Sequence, residues 1–217
     1  MAVLSDIIGV DESGKGDFFG PLVVAACSVK QTQLARLLEL GVRDSKTITE
    51  TKLLGIDEKL RSEFPHAILI LSPQEYNERY SRIKNLNKLL AWCHAEVIRR
   101  AHELSPAGLA ISDQFGKADL ISAELAKFKV AISFKQLVRG EQLPQVAAAS
   151  ILARAAFIRE MVSLSKHYGM RIPKGAAPVV DTAGRELVAR YGLSVLPKVA
   201  KTHFKNSERV VPIDRLV

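Results

Sequence analysis

Cysteine and aromatic residues are scarce in this chain. The two cysteines, Cys27 and Cys93, lie far apart in apolar segments, without a Cys-x-x-Cys pair or a Cys/His ligand spacing. This excludes a disulfide scaffold or zinc finger and predicts two reduced core thiols. There is no apolar run of 18 residues, no signal-like N-terminal segment and no internal repeat. We therefore expect neither membrane insertion nor export, and predict a cytoplasmic protein.

The chain does contain enough apolar residues for a sizeable core. Its 217 residues are 47% hydrophobic, so we expect a single domain over residues 1–217. Strand patterns alternate with helical ones, which predicts a layered α/β fold: a mixed central β-sheet flanked by helices, with a helical C-terminal part. The predicted strands cover about 7–10, 21–29, 66–71, 108–113 and 130–134, and the predicted helices 31–40, 49–63, a segment from 73, 87–104, 117–127 and 144–167.

Positive charge is concentrated in the last third of the chain. Residues 139–217 contain 13 Lys and Arg against 6 Asp and Glu, whereas residues 1–138 contain 18 against 17. Clustered cations gain affinity for nucleic acid by releasing its condensed counterions, so this basic region predicts contact with a phosphate backbone. A merely solubilising basic surface is the alternative interpretation.

Two adjacent acids stand at the end of the first predicted strand. Asp11 and Glu12 follow an apolar run and precede the glycine-flanked Lys15. Partly desolvated carboxylates are costly without a compensating cation, and Mg²⁺ prefers such hard oxygen ligands. Glycine on both sides of a lysine lets the backbone turn tightly and approach an anion. The segment therefore predicts metal and phosphate chemistry, with a solvated turn as the alternative.

A nucleotide-binding loop is a competing interpretation of the same segment. Residues 9–15 satisfy Gly-x-x-x-x-Gly-Lys, but Gly16 stands where that motif needs Ser or Thr to bind magnesium. The residues after the motif have the pattern of a strand rather than of a helix. The sequence context disfavours this interpretation.

Two further acids could complete a metal site. Asp113 ends another predicted strand, and Glu141 precedes the alanine-rich helix. Acids from three distant segments would suit two metal ions that activate water and stabilise a leaving oxygen. Taken singly, Asp113 could equally be a turn or helix-cap residue, and Glu141 a surface acid.

A family resemblance covers nearly the whole chain. The segment Asp11–Leu22, Asp-Glu-Ser-Gly-Lys-Gly-Asp-Phe-Phe-Gly-Pro-Leu, resembles the signature of ribonuclease HIII, whose relative ribonuclease HII has Asp-Glu-Ala-Gly-Arg-Gly. Further motifs occur in the family's order: Asp44-Ser45-Lys46, Tyr76-Asn77 with Tyr80, Asn85-Leu86-Asn87, Asp113-Gln114-Phe115, Val146 to Arg154, and Lys201-Thr202-His203-Phe204.

The resemblance implies a ribonuclease H-like fold and endonucleolytic hydrolysis of the RNA strand of RNA/DNA hybrids, leaving 5′-phosphate and 3′-hydroxyl ends. It implies Mg²⁺ or Mn²⁺ in a two-metal site. We also expect a monomer. The implied catalytic and metal-binding carboxylates are Asp11, Glu12, Asp113 and Glu141; related enzymes often have Asp at the fourth position. An enzyme of the ribonuclease HII type, which also cuts at single ribonucleotides, and a non-catalytic nucleic-acid-binding module stay open as alternatives.

The resemblance also implies substrate-binding residues. The loop of Ser13, Gly14, Lys15 and Gly16 matches the element that reads ribose hydroxyls, the groups that distinguish RNA from DNA. Lys46 is a candidate phosphate contact, and Ser150 and Arg154 share a helix face at i and i+4. His94 and His203 are left outside the catalytic set. Ribonuclease HIII enzymes typically carry an N-terminal substrate-binding domain, and only about ten residues precede Asp11, so we expect that domain to be missing.

Overall fold

The computed structural model describes residues 6–211, in which strands alternate with helices along the chain. The strands are β1 (Ile7–Ser13), β2 (Leu22–Val29), β3 (His66–Leu71), β4 (Leu109–Asp113) and β5 (Ser133–Leu137). The helices are α1 (Leu34–Glu39), α2 (Glu50–Glu63), α3 (Pro73–Ile83), α4 (Leu86–Leu104), α5 (Ala118–Lys127), α6 (Pro144–His167), α7 (Pro178–Tyr191), α8 (Leu196–Val199) and α9 (Asn206–Val210).

The strands form one mixed sheet in the order β3-β2-β1-β4-β5. β1 and β2 are antiparallel, with Ile7 opposite Val29, whereas β4 is parallel to both β1 and β5. This confirms the mixed sheet expected from the sequence, and β1 and β2 form an initial hairpin. Every residue of β2 is buried, as its unbroken apolar pattern predicts for a strand covered on both faces.

One predicted strand is displaced along the chain. We expected it at 130–134, but β5 spans Ser133–Leu137. Lys129 has a left-handed backbone with φ +58°, and the amide of Ile132 donates to the carbonyl of Val130. The apolar residues at 130–132 therefore form the turn after α5, and the ladder with β4 begins only at Ser133.

The chain divides into two compact units. The first contains residues 6–13, 23–69 and 85–155. In this unit α4 packs on β1 and α5, and α5 also packs on β5. Cys27 and Cys93 are buried and form no disulfide among the described residues, and burial raises the pKa of the Cys27 thiol to about 12. Both are reduced core thiols, as expected.

The second unit contains residues 14–22, 70–84 and 156–211. Here α3 packs on α8, and α7 packs on α8 and α9. Most of the predicted basic region belongs to this unit. The single domain expected from the sequence stays a prediction. Within residues 6–211, none of the helices combines the length and apolar character needed to cross a membrane.

Candidate active site

The parallel pairing of β1 with β4 brings acids from distant parts of the sequence to one edge of the sheet. Val10 and Ser112 are the last pair between the two strands, so the residues that come after them, Asp11 and Asp113, lie side by side where this pairing ends. Successive residues of a strand point to opposite faces. Asp11 therefore meets α6, and Glu12 meets α4.

Asp11 is the most electrostatically perturbed of these acids. One oxygen accepts a hydrogen bond from the Glu12 amide at 2.8 Å, and the Ser150 side chain also bonds to the carboxyl. The pKa of Asp11 is raised to about 7, mainly by burial, then by the charge of Glu12 and, to a smaller extent, that of Asp113, while the two hydrogen bonds oppose the rise. The raised pKa marks a site with more negative charge than its donors compensate.

Glu12 is held by His94, a histidine that the sequence does not assign to the catalytic set. His94 of α4 is fully buried, and its Nε2 lies 3.1 Å from Glu12 Oε2. Its ring packs against Phe115 at a centroid distance of 4.6 Å. Nδ1 has no hydrogen-bond partner among the described residues, so the ring hydrogen belongs on Nε2, where it is donated to the carboxylate. The sequence signal was a polar residue inside the apolar stripe of a helix.

Asp113 and Glu141 are connected through a tight turn. The Gly140 amide donates to Asp113 Oδ1 at 2.9 Å, and a methyl group on Gly140 would lie 2.9 Å from the Asp113 Cα. Arg139 precedes it in a left-handed conformation, φ +57°, and a short 3₁₀ helix over Gly140–Gln142 carries Glu141. Glu141 Oε2 is buried with no hydrogen-bond partner among residues 6–211.

Helix α6 contributes the predicted substrate-binding pair. Ser150 Oγ lies 2.9 Å from Ser45 Oγ, and Arg154 Nη1 donates to the Ser45 carbonyl at 2.7 Å. Both side chains therefore hold the turn that contains Lys46, which is exposed. Because Ser150 also bonds to Asp11, this turn is connected to the acid cluster.

The donor set fits a divalent cation. Among the described residues, no three His, Cys, Asp or Glu side chains already stand together as a ready-made ligand set. Glu12 and Asp113 each accept a hydrogen bond from the protein, which leaves other carboxylate lone pairs for a metal. The raised pKa of Asp11 nevertheless reflects negative charge that its donors do not compensate, and the buried Oε2 of Glu141 has no hydrogen-bond partner among residues 6–211. Hard oxygen donors with excess negative charge are what Mg²⁺ and Mn²⁺ prefer.

The glycine-flanked lysine belongs to the second unit. Gly14 has φ +87°, and a Cβ there would lie 2.2 Å from the Pro21 carbonyl oxygen. Gly16 is exposed, and a methyl group added to it would meet nothing within 4 Å. The first glycine is thus required by the turn, and the second leaves open backbone where another molecule can approach closely. Ser13 is the last residue of β1, opposite Val23.

Comparisons with known proteins show the family to which the chain belongs. The family model for ribonuclease HII matches residues 8–207. The ribonuclease HIII of Chlamydia pneumoniae is 45% identical over 94% of this chain and 69% of its own length. The ribonuclease HIII of Protochlamydia amoebophila is 38% identical over 96% of this chain and 69% of its own length.

Solved structures of ribonucleases HIII and HII are similar to this chain as well. A crystal structure of Bst ribonuclease HIII in complex with Mn²⁺ superposes with a TM-score of 0.86 and 34% identity, over 94% of this chain and 68% of that one. Ribonuclease HII of Archaeoglobus fulgidus, solved in a complex with PCNA, superposes with a TM-score of 0.75 and 30% sequence identity. The match covers 90% of this chain and 93% of that one. The chain therefore belongs to the family of ribonucleases HII and HIII.

Proposed function

We propose that this chain is an endoribonuclease that hydrolyses the RNA strand of RNA/DNA hybrids and leaves 5′-phosphate and 3′-hydroxyl ends. The observation that carries the proposal is the cluster of Asp11, Glu12 and Asp113 at one edge of the sheet, in a chain of this family. A binding module without catalysis would have no use for three carboxylates at one edge of the sheet, of which Asp11 is costly to bury. A nucleotide-binding loop is disfavoured because β1 leads into an antiparallel strand and not into a helix.

The acids have distinct environments that suit a metal-dependent hydrolase. Asp11, Glu12, Asp113 and Glu141 would hold Mg²⁺ or Mn²⁺, and the Mn²⁺ complex of the Bst enzyme supports this choice. When bound, two such ions supply the positive charge that activates a water molecule and stabilises the leaving oxygen. The chain's own contribution is orientation: neutral donors fix Asp11, Glu12 and Asp113, and leave their negative charge available.

Substrate contacts are inferred from the chemistry of the described surface. The open backbone at Gly16 supports the approach of a ribose hydroxyl to the Ser13–Gly16 loop. Exposed Lys46, on the turn held by Ser150 and Arg154, is suited to a phosphate oxygen. The basic region of residues 139–217 would supply further backbone contacts. We also infer that the enzyme acts as a monomer in the cytoplasm.

The decisive experiment compares two substrates in each metal. A uniform RNA/DNA hybrid and a DNA duplex with one embedded ribonucleotide are incubated with the protein in Mg²⁺ and in Mn²⁺, and the product ends are mapped. We expect efficient cutting of the uniform hybrid and much slower cutting at the single ribonucleotide. Equal cutting at the single site would instead support ribonuclease HII-type activity. Binding of the hybrid without cutting in either metal would contradict the proposed function.

We expect His94 to matter through Glu12. Replacing it with Leu removes the hydrogen bond, and loss of such a supporting partner typically costs about 10- to 100-fold in metal affinity or activity. H94Q is the matched control, because its side-chain amide can donate from a similar position. Calorimetric titration with Mn²⁺ should show weaker binding for H94L than for H94Q, with the KM for hybrid unchanged in both. Equal Mn²⁺ affinity and activity in the two variants would show that His94 only fills space.

A further inference from the structure

One residue of the second unit, Lys201, donates hydrogen bonds to three backbone carbonyl groups of a single loop. Lys201 Nζ donates to the carbonyl oxygens of Asp17 at 2.8 Å and Gly20 at 2.7 Å. The backbone amide of Lys201 donates to the carbonyl of Phe18, also at 2.8 Å. The Gly14–Pro21 segment is called here the glycine loop. Three of its carbonyl groups thus accept hydrogen bonds from a single residue.

The glycine loop needs such external support. Gly14 and Gly20 have φ +87° and +79°, conformations that glycine adopts easily but that an unconstrained loop would readily leave. The turn bond inside the loop, from the Asp17 amide to the Gly14 carbonyl, is long at 3.3 Å. Gly175 adds support, because its amide donates to Asp17 Oδ1 at 2.6 Å.

The lysine sits in a place where a charge is expensive. Its side chain has no exposed surface, and burial lowers its pKa to about 7, opposed only by the charge of Asp17. An apolar residue would fill the same volume without this cost, and the two hydrogen bonds from Nζ to the carbonyls of Asp17 and Gly20 are what such a residue could not make. The ammonium is positioned as a metal ion would be, among carbonyl oxygens, with the Tyr76 ring 5.7 Å from Nζ on another side.

An aromatic stack covers this cation. Tyr76 is fully buried and stacks on Tyr80 and His203 at centroid distances of 5.8 and 5.5 Å. The Asn77 side chain donates to the Ala200 carbonyl at 2.8 Å and accepts from the Thr202 amide at 2.9 Å. These contacts fix the backbone on both sides of Lys201, so the ammonium has one defined position.

We propose that Lys201 is a positioning residue for substrate specificity: its buried ammonium acts as a built-in cation that holds the glycine loop in the shape that reads ribose. This inference rests on the proposed function, because it assigns the loop that role. Lys201 itself contacts no substrate. Its removal is expected to weaken hybrid binding without changing the acids, which belong to the other unit.

The test replaces Lys201 with Met, which has similar length and no charge. Lys59→Met on α2 is the matched control, since it removes an equal charge from an exposed position. We expect K201M to raise the KM for hybrid roughly tenfold or more with a much smaller change in kcat, and K59M to change neither. Hydrogen exchange followed by mass spectrometry should accelerate selectively in residues 14–22 of K201M, while Mn²⁺ binding stays as in the wild type.

Several outcomes would overturn the proposal. An unchanged KM together with unchanged exchange in the glycine loop would do so. Faster exchange spread evenly over residues 156–211 with an unchanged KM would make Lys201 a general stabilising residue. K201Q, which keeps an N–H donor but no charge, is measured in parallel in case K201M does not fold, and a smaller change in the same direction is expected. The hydrogen-exchange measurement needs no cleavage. It therefore shows whether Lys201 holds the glycine loop even if the wild type cuts no hybrid.

Discussion

Replacing Asp11 with Asn is expected to lower kcat/KM for hybrid cleavage by roughly 10³-fold or more, equivalent to about 4 kcal/mol of transition-state stabilisation. Asp11 is the acid that neighbours both Glu12 and Asp113. An amide oxygen in its place is a weaker ligand and has no negative charge to offer a cation. Hybrid binding should persist, because the positive surface is untouched. Asp119→Asn, at an exposed position of α5, is the control and should cut like the wild type.

The same substitution should stabilise the metal-free protein. In the unfolded chain the Asp11 carboxyl loses its proton near the ordinary pKa of 3.8, whereas in the folded protein it does so near 7. The folded state therefore binds more protons between these values, and the wild type loses stability as pH rises through this window. Above pH 7, D11N should raise the free energy of unfolding by roughly 2 kcal/mol after allowance for solvent screening. Near pH 4 this difference should vanish.

Urea unfolding of both proteins in the presence of a chelator, at several pH values, measures this difference. Lost cleavage together with gained stability is the signature of a residue kept for function at the expense of the fold. Undiminished cleavage by D11N would refute the assignment of Asp11. A pH-independent stability difference would refute the electrostatic explanation and leave the catalytic one untouched.

The sheet and its acid edge could be predicted because their signals are local. The sequence places Asp11 directly after the predicted strand 7–10 and Asp113 at the end of the predicted strand 108–113. Parallel pairing of β1 with β4 brings these two acids together. The i, i+4 spacing of Ser150 and Arg154 likewise predicted a shared helix face, and both side chains contact Ser45. The family and its enzymatic class were predicted from motifs in order and are confirmed by the comparisons.

The features that could not be predicted depend on tertiary partners. Nothing in the sequence around His94 distinguishes a core histidine from one that donates to a carboxylate 82 positions earlier in the chain. Lys201 looks like one more cation in a basic region, yet it is fully buried. The start of β5 was misplaced because apolar residues fit a turn as well as a strand, and the left-handed Lys129 is not visible in the pattern. The catalytic roles of the four acids stay predictions.

Gly9→Ala is expected to destabilise the protein by about 3 kcal/mol or more, a large effect for a single added methyl group. Gly9 lies in β1, and a Cβ there would stand 2.0 Å from the Gln145 carbonyl oxygen and 2.5 Å from the Val146 amide nitrogen. Both are backbone atoms in the first turn of α6, so no side-chain rotation can relieve the overlap. The helix or the strand must move, and neither can do so without losing packing in the first unit.

Gly55→Ala is the matched control, because Gly55 lies within α2 and nothing lies within 4 Å of its added methyl. The free energy of unfolding of that variant should be higher by roughly 0.5–1 kcal/mol, since alanine has a higher helix propensity than glycine. Urea unfolding measures both changes. A displaced α6 would also move Ser150 away from Asp11, so hybrid cleavage by any folded G9A should fall while G55A keeps wild-type activity. A G9A variant as stable as the wild type would mean that the contact between β1 and α6 is looser than the structure describes, and the placement of Ser150 beside Asp11 would lose its support.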